Sequence, residues 1–147
     1  MITDIFNKEI IKVLTLFSIS PGSKFTRNEV KEKTMLNNIP LDNVITILLN
    51  NKILIKEKRF LNLNFENKNL KFMLDAVKKE HIRFKEIPLR IYYIMLDISS
   101  VLSKIRNIAK VYLFGSYAKL IYTEKSDIDI AVILEKEDKN LIKRLNK

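Results

Sequence analysis

The chain has 147 residues, 27 basic and 17 acidic side chains and a formal net charge of +10, with 47% hydrophobic, 30% charged and 9% aromatic residues. That length fits one domain or two small ones, and the composition is that of a chain able to bury a core. With no cysteine there is no disulfide framework and no thiolate metal site, and the N-terminus does not read as a signal peptide. The most apolar stretch, Ile91–Leu96, is far short of the roughly 20 residues of a spanning helix. A membrane protein, a zinc finger and a secreted scaffold are excluded, and a cytoplasmic location is expected.

The charge is unevenly spread. Residues 1–68 carry 11 basic and 7 acidic side chains, residues 69–110 carry 9 and 4, and residues 111–147 carry 7 and 6. A basic surface suits an anionic partner such as a nucleotide or nucleic acid. A lysine-rich solubilising surface is the plainer explanation, since 21 of the 27 basic residues are Lys.

Phe6, Ile10, Val13, Leu14 and Phe17 fall at helical spacing and predict an amphipathic helix over Thr3–Phe17. Ser20–Ser23 reads as a turn. Thr26-Arg27-Asn28-Glu29 is a capping-box signature that opens a second helix running to about Lys33. A third helix is predicted from Pro40, with Leu41, Val44, Ile45, Leu48 and Leu49 on one face and a left-handed close at Asn50–Asn51. Two strands follow, Ile53–Glu57 and Phe60–Phe65, joined by a basic turn at Lys58–Arg59. In the second, Leu61, Leu63 and Phe65 alternate with asparagines, the period of a half-buried strand.

Three short helices and a hairpin resemble a winged helix-turn-helix domain over residues 1–66. The resemblance implies double-stranded DNA as a partner, with the third helix in the major groove. On that helix's free face, Asn43 and Asn50 have the chemistry to read adenine edges, whereas Asp42 repels phosphate. Phosphate contacts would fall to Lys56, Lys58 and Arg59, with Lys31 and Lys33 nearby. Winged helices also serve as dimerisation modules, so a homodimer is the alternative role for this segment.

Residues 67–105 read as a helical linker and the first helix of a C-terminal domain. Leu70, Met73, Leu74, Val77, His81 and Phe84 form one stripe, on which His81 is expected to be a packed boundary residue. Pro88 opens a further helix, to about Lys104, with apolar residues on two faces.

Residues 106–147 hold the segment with chemistry. Val111–Phe114 is an apolar run suited to a buried strand, followed by Gly115-Ser116 and a predicted short helix over Tyr117–Ile121. After ten intervening residues, Ser116 is followed by Asp127-Ile128-Asp129, which runs into the apolar strand Ile130–Leu134. Two carboxylates two apart on a strand project from one face and repel each other unless a cation lies beside them. Such hard oxygen ligands suit Mg2+ (or Mn2+). A glycine lets backbone approach an anion closely, and Ser116 supplies a hydroxyl for a phosphate oxygen. An ordinary turn capped by Ser126 and Asp127 would leave Asp129 unexplained, because it sits between two isoleucines.

The apolar strand, Gly115-Ser116, the ten-residue spacer and Asp127-x-Asp129 resemble the signature of the polymerase-beta-like nucleotidyltransferases, most closely the minimal ones. The resemblance implies that Asp127 and Asp129 are catalytic and bind metal. It also implies that Gly115 and Ser116 hold a nucleoside triphosphate, and that a nucleotidyl group passes to an acceptor hydroxyl. Lys119, one turn on, is a candidate phosphate ligand. The sequence departs from the family at Leu120, where glycine is common, and in lacking a third carboxylate on a later strand. Only 18 residues follow Asp129, and Glu135 lies six residues along, roughly 20 Å at strand rise. The expectation is therefore an α/β (α+β) protein with a winged helix, a helical linker and a partial, mixed nucleotidyltransferase-like sheet. The resemblance implies a nucleotidyltransferase enzyme, and the absent third carboxylate argues against it. The alternative function is a DNA-binding transcriptional regulator with a non-catalytic transferase-like domain.

Overall fold

A computed structural model describes residues 6–146. The protein combines helices with small antiparallel sheets, and the chain divides into two compact units between Leu96 and Asp97.

The first unit opens with α1 (Lys8–Ile19), capped by the Asn7 side chain, which accepts from the Ile10 N–H at 2.8 Å. The helix thus starts later than the spacing predicts; residues 3–5 lie outside the described residues. Eight consecutive residues, Ile11–Ser18, are buried, so α1 is the central rod of the unit. The predicted capping box forms: the Thr26 hydroxyl accepts from the Glu29 N–H while the Glu29 carboxylate accepts from the Thr26 N–H, and α2 runs over Arg27–Thr34. α3 (Asn38–Asn50) takes Asn37 as its N-cap residue and places Pro40 in its first turn, where a missing N–H costs nothing. Leu41, Val44, Ile45 and Leu48 are buried, and Asp42, Asn43, Thr46, Ile47 and Asn50 are exposed, as the periodicity predicts.

The left-handed residue after α3 is Lys52 (φ 54°), not Asn51 (φ −85°). Asn51 instead donates from its amide to the Ile47 carbonyl at 2.8 Å, closing the helix by side chain. The hairpin strands are β2 (Leu54–Glu57) and β3 (Phe60–Leu63), with Lys58 left-handed in the turn. With β1 (Phe25–Thr26) they form an antiparallel sheet in the order β1-β3-β2, pairing Phe25 with Leu61 and Lys56 with Leu61 from the other side. Leu61 and Leu63 are buried, but Phe65 lies beyond the strand and is 67% exposed. The Asn64–Asn67 turn ends the pairing before Phe65 can follow the alternation: the Asn67 N–H donates to the Asn64 carbonyl, and the Asn67 amide donates to Lys52.

The segment expected as linker packs into this unit. α4 (Leu70–His81) contributes Leu70, Leu74 and Val77 to the core that contains Ile11, Val30 and Val44, and a 3-10 turn, Ile82–Phe84, follows. α5 (Leu89–Leu102) contributes Tyr92, Tyr93 and Leu96 to that core. The Tyr93 hydroxyl donates to the Lys12 carbonyl at 2.8 Å, and the buried Lys12 ammonium lies 5.7 Å from the Tyr93 ring centre. Each apolar side chain of this core, such as Leu74 or Val77, contributes about 1.5–3 kcal/mol when taken fully from water. His81 is half-buried with its ring 4.9 Å from that of Tyr92, the packed boundary position expected.

The second unit has β4 (Ile108–Phe114), a four-residue α6 (Gly115–Ala118), β5 (Asp129–Leu134) and α7 (Lys139–Leu145), the last capped by Asp138. β4 and β5 pair antiparallel, with Val111 opposite Val132, Leu113 opposite Ile130 and Phe114 opposite Asp129. The two strands were expected to be buried, yet none of their residues is. With one face of a two-stranded sheet uncovered, Tyr112 and Phe114 of β4 stand outside while Val111 and Leu113 are half-buried.

Candidate functional site

Two of the candidate residues, Gly115 and Asp129, meet where β4 ends and β5 begins. β4 delivers the chain into Gly115, whose φ of +73° is a conformation L side chains rarely adopt. The reversal turns the chain into α6, in place of the longer helix predicted over Tyr117–Ile121. The Lys119 N–H bonds Gly115 O, the Leu120 N–H bonds Tyr117 O and the Ile121 N–H bonds Ser116 O. Leu120 itself is left-handed (φ 58°) and half-exposed, at the position where the resemblance expects glycine. The backbone bend is therefore kept with a side chain that pays a conformational penalty for it.

Across the sheet, Asp129 is the first residue of β5 and lies directly opposite Phe114. A β-carbon on Gly115 would fall 2.0 Å from Asp129 Oδ2 and 2.9 Å from its carboxyl carbon. The anion that approaches this glycine is thus Asp129's own carboxylate. Asp129 is half-buried; Asp127 is exposed and precedes the strand, where the sequence places both carboxylates on it. The approach to Asp127 is fixed by a tight turn: the Thr123 N–H donates to Ser126 Oγ at 2.8 Å and the Ser126 N–H to the Thr123 carbonyl at 3.0 Å. Ser126 does cap a turn, and the aspartates follow it. Ser116 is half-buried, and Lys119 is exposed as the capping residue of α6.

Three supports escape sequence reasoning. Tyr117, buried, stacks on Tyr122 with ring centres 4.7 Å apart and planes 18° apart, pinning the loop that leads to the aspartates. Asn107, ahead of β4, exchanges side-chain bonds with Lys136 beyond β5: its amide donates to Lys136 O at 3.0 Å and its oxygen accepts from Lys136 N–H at 3.1 Å. In the first unit, Arg27 grips Asp42 with Nε at 2.6 Å and a terminal nitrogen at 2.8 Å. That bond holds the Asp42 carboxyl below its usual range. All three pairs are far apart or aromatic in sequence, with no periodic signal to mark them.

The side-chain chemistry fits a hard divalent cation: two carboxylates at one end of the sheet, one exposed and one beside a backbone that a Cβ would obstruct. Among the described residues no group of three or more His, Cys, Asp or Glu could hold a metal. A cation here would rest on Asp127 and Asp129, with the remaining positions left to ligand oxygens or water.

Residues 97–147, about a third of the chain, match the family model described as polymerase beta, nucleotidyltransferase. No curated protein and no solved structure matches the chain. The matched stretch contains Gly115, Ser116, Lys119, Asp127 and Asp129 and coincides with the second compact unit. No helix among the described residues is long and apolar enough to cross a membrane.

Proposed function

We propose that the second unit binds a nucleoside triphosphate together with Mg2+ (or Mn2+) and transfers its nucleotidyl group to an acceptor hydroxyl. The observation that carries this reading is the Asp129 carboxylate seated against Gly115, within a segment that matches a nucleotidyltransferase family model. Asp127 and Asp129 would hold the metal, which when bound neutralises phosphate charge and orients the reacting oxygens. Gly115, without a side chain, and Ser116, with its hydroxyl, offer a backbone turn and a donor to the triphosphate. Lys119, exposed at the end of α6, offers a cation to it. In the transfer, the acceptor oxygen forms a bond to the α-phosphorus as that atom's bond to the bridging oxygen breaks. Pyrophosphate departs with the bonding pair, and the hydroxyl proton passes to solvent. The test is the electron paramagnetic resonance of free Mn2+ during titration with protein, with and without nucleoside triphosphate. Nucleotide-dependent uptake that disappears in Asp127→Asn/Asp129→Asn is expected; equal uptake by both proteins contradicts the site.

A second reading, double-stranded DNA binding by a winged helix in the first unit, is favoured by the Arg27–Asp42 pair. It neutralises the one acidic group on the free face of α3 that opposes phosphate. Asn43 and Asn50 are exposed on that face, and Lys56, Lys58 and Arg59 are exposed on the hairpin. Replacing those three cations with Ala should flatten the log–log salt dependence by roughly 2.7. An unchanged slope excludes this mode, and no DNA binding at low salt favours a dimerisation role.

A further inference from the structure

A cleft of about 700 Å3 lies in the first unit between the start of α2, α3 and the hairpin. That volume falls within the range of small-molecule pockets, about 300–1,000 Å3. One wall is a helix stripe: Asp42, Ile45, Thr46 and Leu49 recur at the i, i+3, i+4, i+7 spacing of a single α3 face. Ile45 is buried and Leu49 half-buried, so the base of this wall is apolar. The other wall is the hairpin, where Lys56 stands directly opposite the buried Leu61. Opposed residues of an antiparallel pair share a face. Lys56 therefore lies on the core-facing side of the sheet, over the apolar floor, and Arg59 lines the rim with its guanidinium 5.1 Å from the Phe60 ring centre.

The lining carries three cations, Arg27, Lys56 and Arg59, against one carboxylate, Asp42. Arg27 is already engaged by Asp42, at 2.6 and 2.8 Å. Glu57 follows Lys56 in the strand, so it faces the other side of the sheet, where it pairs with Lys24. Glu29, outside the lining, feels the Arg59 charge but is held first by the Thr26 cap. Among the described residues Lys56 makes no ion pair. The cleft is thus left with one uncompensated cation and one partly compensated, above a floor of Ile45, Leu49 and Leu61. That combination selects a singly charged head on an apolar body, because desolvating a phosphate dianion against such a floor is far more costly. A nucleic-acid backbone would engage Lys58 as readily as its neighbours, yet Lys58 lies outside the lining. We propose that this cleft binds a small organic carboxylate, with its head on Lys56 and Arg59 and its apolar body against Ile45, Leu49 and Leu61. The proposal is separate from the triphosphate site and does not require duplex binding.

The test titrates the isotope-labelled full chain with naphthoate and follows the amide proton–nitrogen spectrum. Naphthalenemethanol, the uncharged counterpart, and naphthyl phosphate are titrated beside it. Saturable shifts at Ile45, Thr46, Leu49 and Leu61 are expected, with the alcohol bound at least about ten-fold more weakly than naphthoate. Lys56→Gln/Arg59→Gln should lose about ten-fold in naphthoate affinity. Lys58→Asn, which tolerates the left-handed turn at φ 56°, should stay within about two-fold of the wild type. Thr46→Phe, at an exposed position of the wall, should fill the cleft and block binding. Each variant's own spectrum verifies its fold before titration. The proposal is overturned if the alcohol binds as tightly as naphthoate, or if Lys56→Gln/Arg59→Gln keeps full affinity. It is equally overturned if Lys58→Asn loses as much as that double variant, or if the shifts fail to saturate or fall among residues 97–147. Tighter binding of naphthyl phosphate than of naphthoate would overturn the carboxylate assignment.

Discussion

Asp129 Oδ2 occupies the space that a β-carbon on Gly115 would fill, 2.0 Å from its ideal position, and Gly115 is held at φ +73°. Glycine is thus required here twice over, by the backbone conformation and by the carboxylate opposite. Gly115→Ala should destabilise the second unit by at least about 1–2 kcal/mol from the backbone term alone, with displacement of Asp129 added. Gly22→Ala, where nothing lies within 4 Å of the added carbon, should stay within about 0.5 kcal/mol of the wild type. Urea denaturation of the two variants checks the contrast, and near-neutral behaviour of Gly115→Ala would contradict the geometry.

Leu120 adopts a left-handed backbone at φ 58° with half its surface in water. Leu120→Gly removes the Cβ penalty, loses little burial and gives back part of the gain as unfolded-chain entropy. A net stabilisation of up to about 1 kcal/mol is expected in the same assay. A clear loss of stability would mean that the leucine side chain contributes packing that its exposure does not reveal.

Two groups make the first unit less stable as pH falls, in two separate windows. Glu29 is held below its ordinary range, first by the Thr26 N–H and then by the Thr26 hydroxyl. Its contribution is therefore present above about pH 4.3, the unfolded value, and is lost as pH falls through the lower folded value. Glu29→Gln keeps an acceptor but no charge, so the wild type's advantage at pH 7 should shrink progressively as pH falls below about 4.3, toward pH 3. His81 is lowered by burial. Its neutral form favours the fold above about pH 6.5, and that contribution is lost below, as the unfolded chain takes the proton first. His81→Gln should therefore gain on the wild type between pH 7.5 and pH 5. Denaturation curves at the four pH values decide both, and a pH-independent difference between the proteins would count against the assignment.

The sequence was most legible where one physical rule acts alone. The Thr26–Glu29 box, the buried stripe of α3 and the alternation of Leu61 and Leu63 are local patterns, and each appears in the structure. Of the Gly115-Ser116 and Asp127-x-Asp129 segments, Gly115 and Asp129 meet at one end of the β4–β5 pair. Legibility failed where a distant partner decides. Phe65 follows the strand period but leaves the sheet because Asn64 and Asn67 tie the chain into a turn. The apolar runs of β4 and β5 read as buried strands, yet burial depends on how many layers cover a sheet, which hydropathy does not record. Arg27–Asp42, Tyr117–Tyr122 and Asn107–Lys136 are tertiary pairs with no sequence period.

The most direct measurement is calorimetric titration of the full chain with ATP, with and without Mg2+, beside the Asp127→Asn/Asp129→Asn variant, whose fold is confirmed by circular dichroism. The account predicts saturable nucleotide binding by the wild type that requires the metal and disappears in the double variant. Binding of equal strength in both proteins, or binding indifferent to Mg2+, would contradict it.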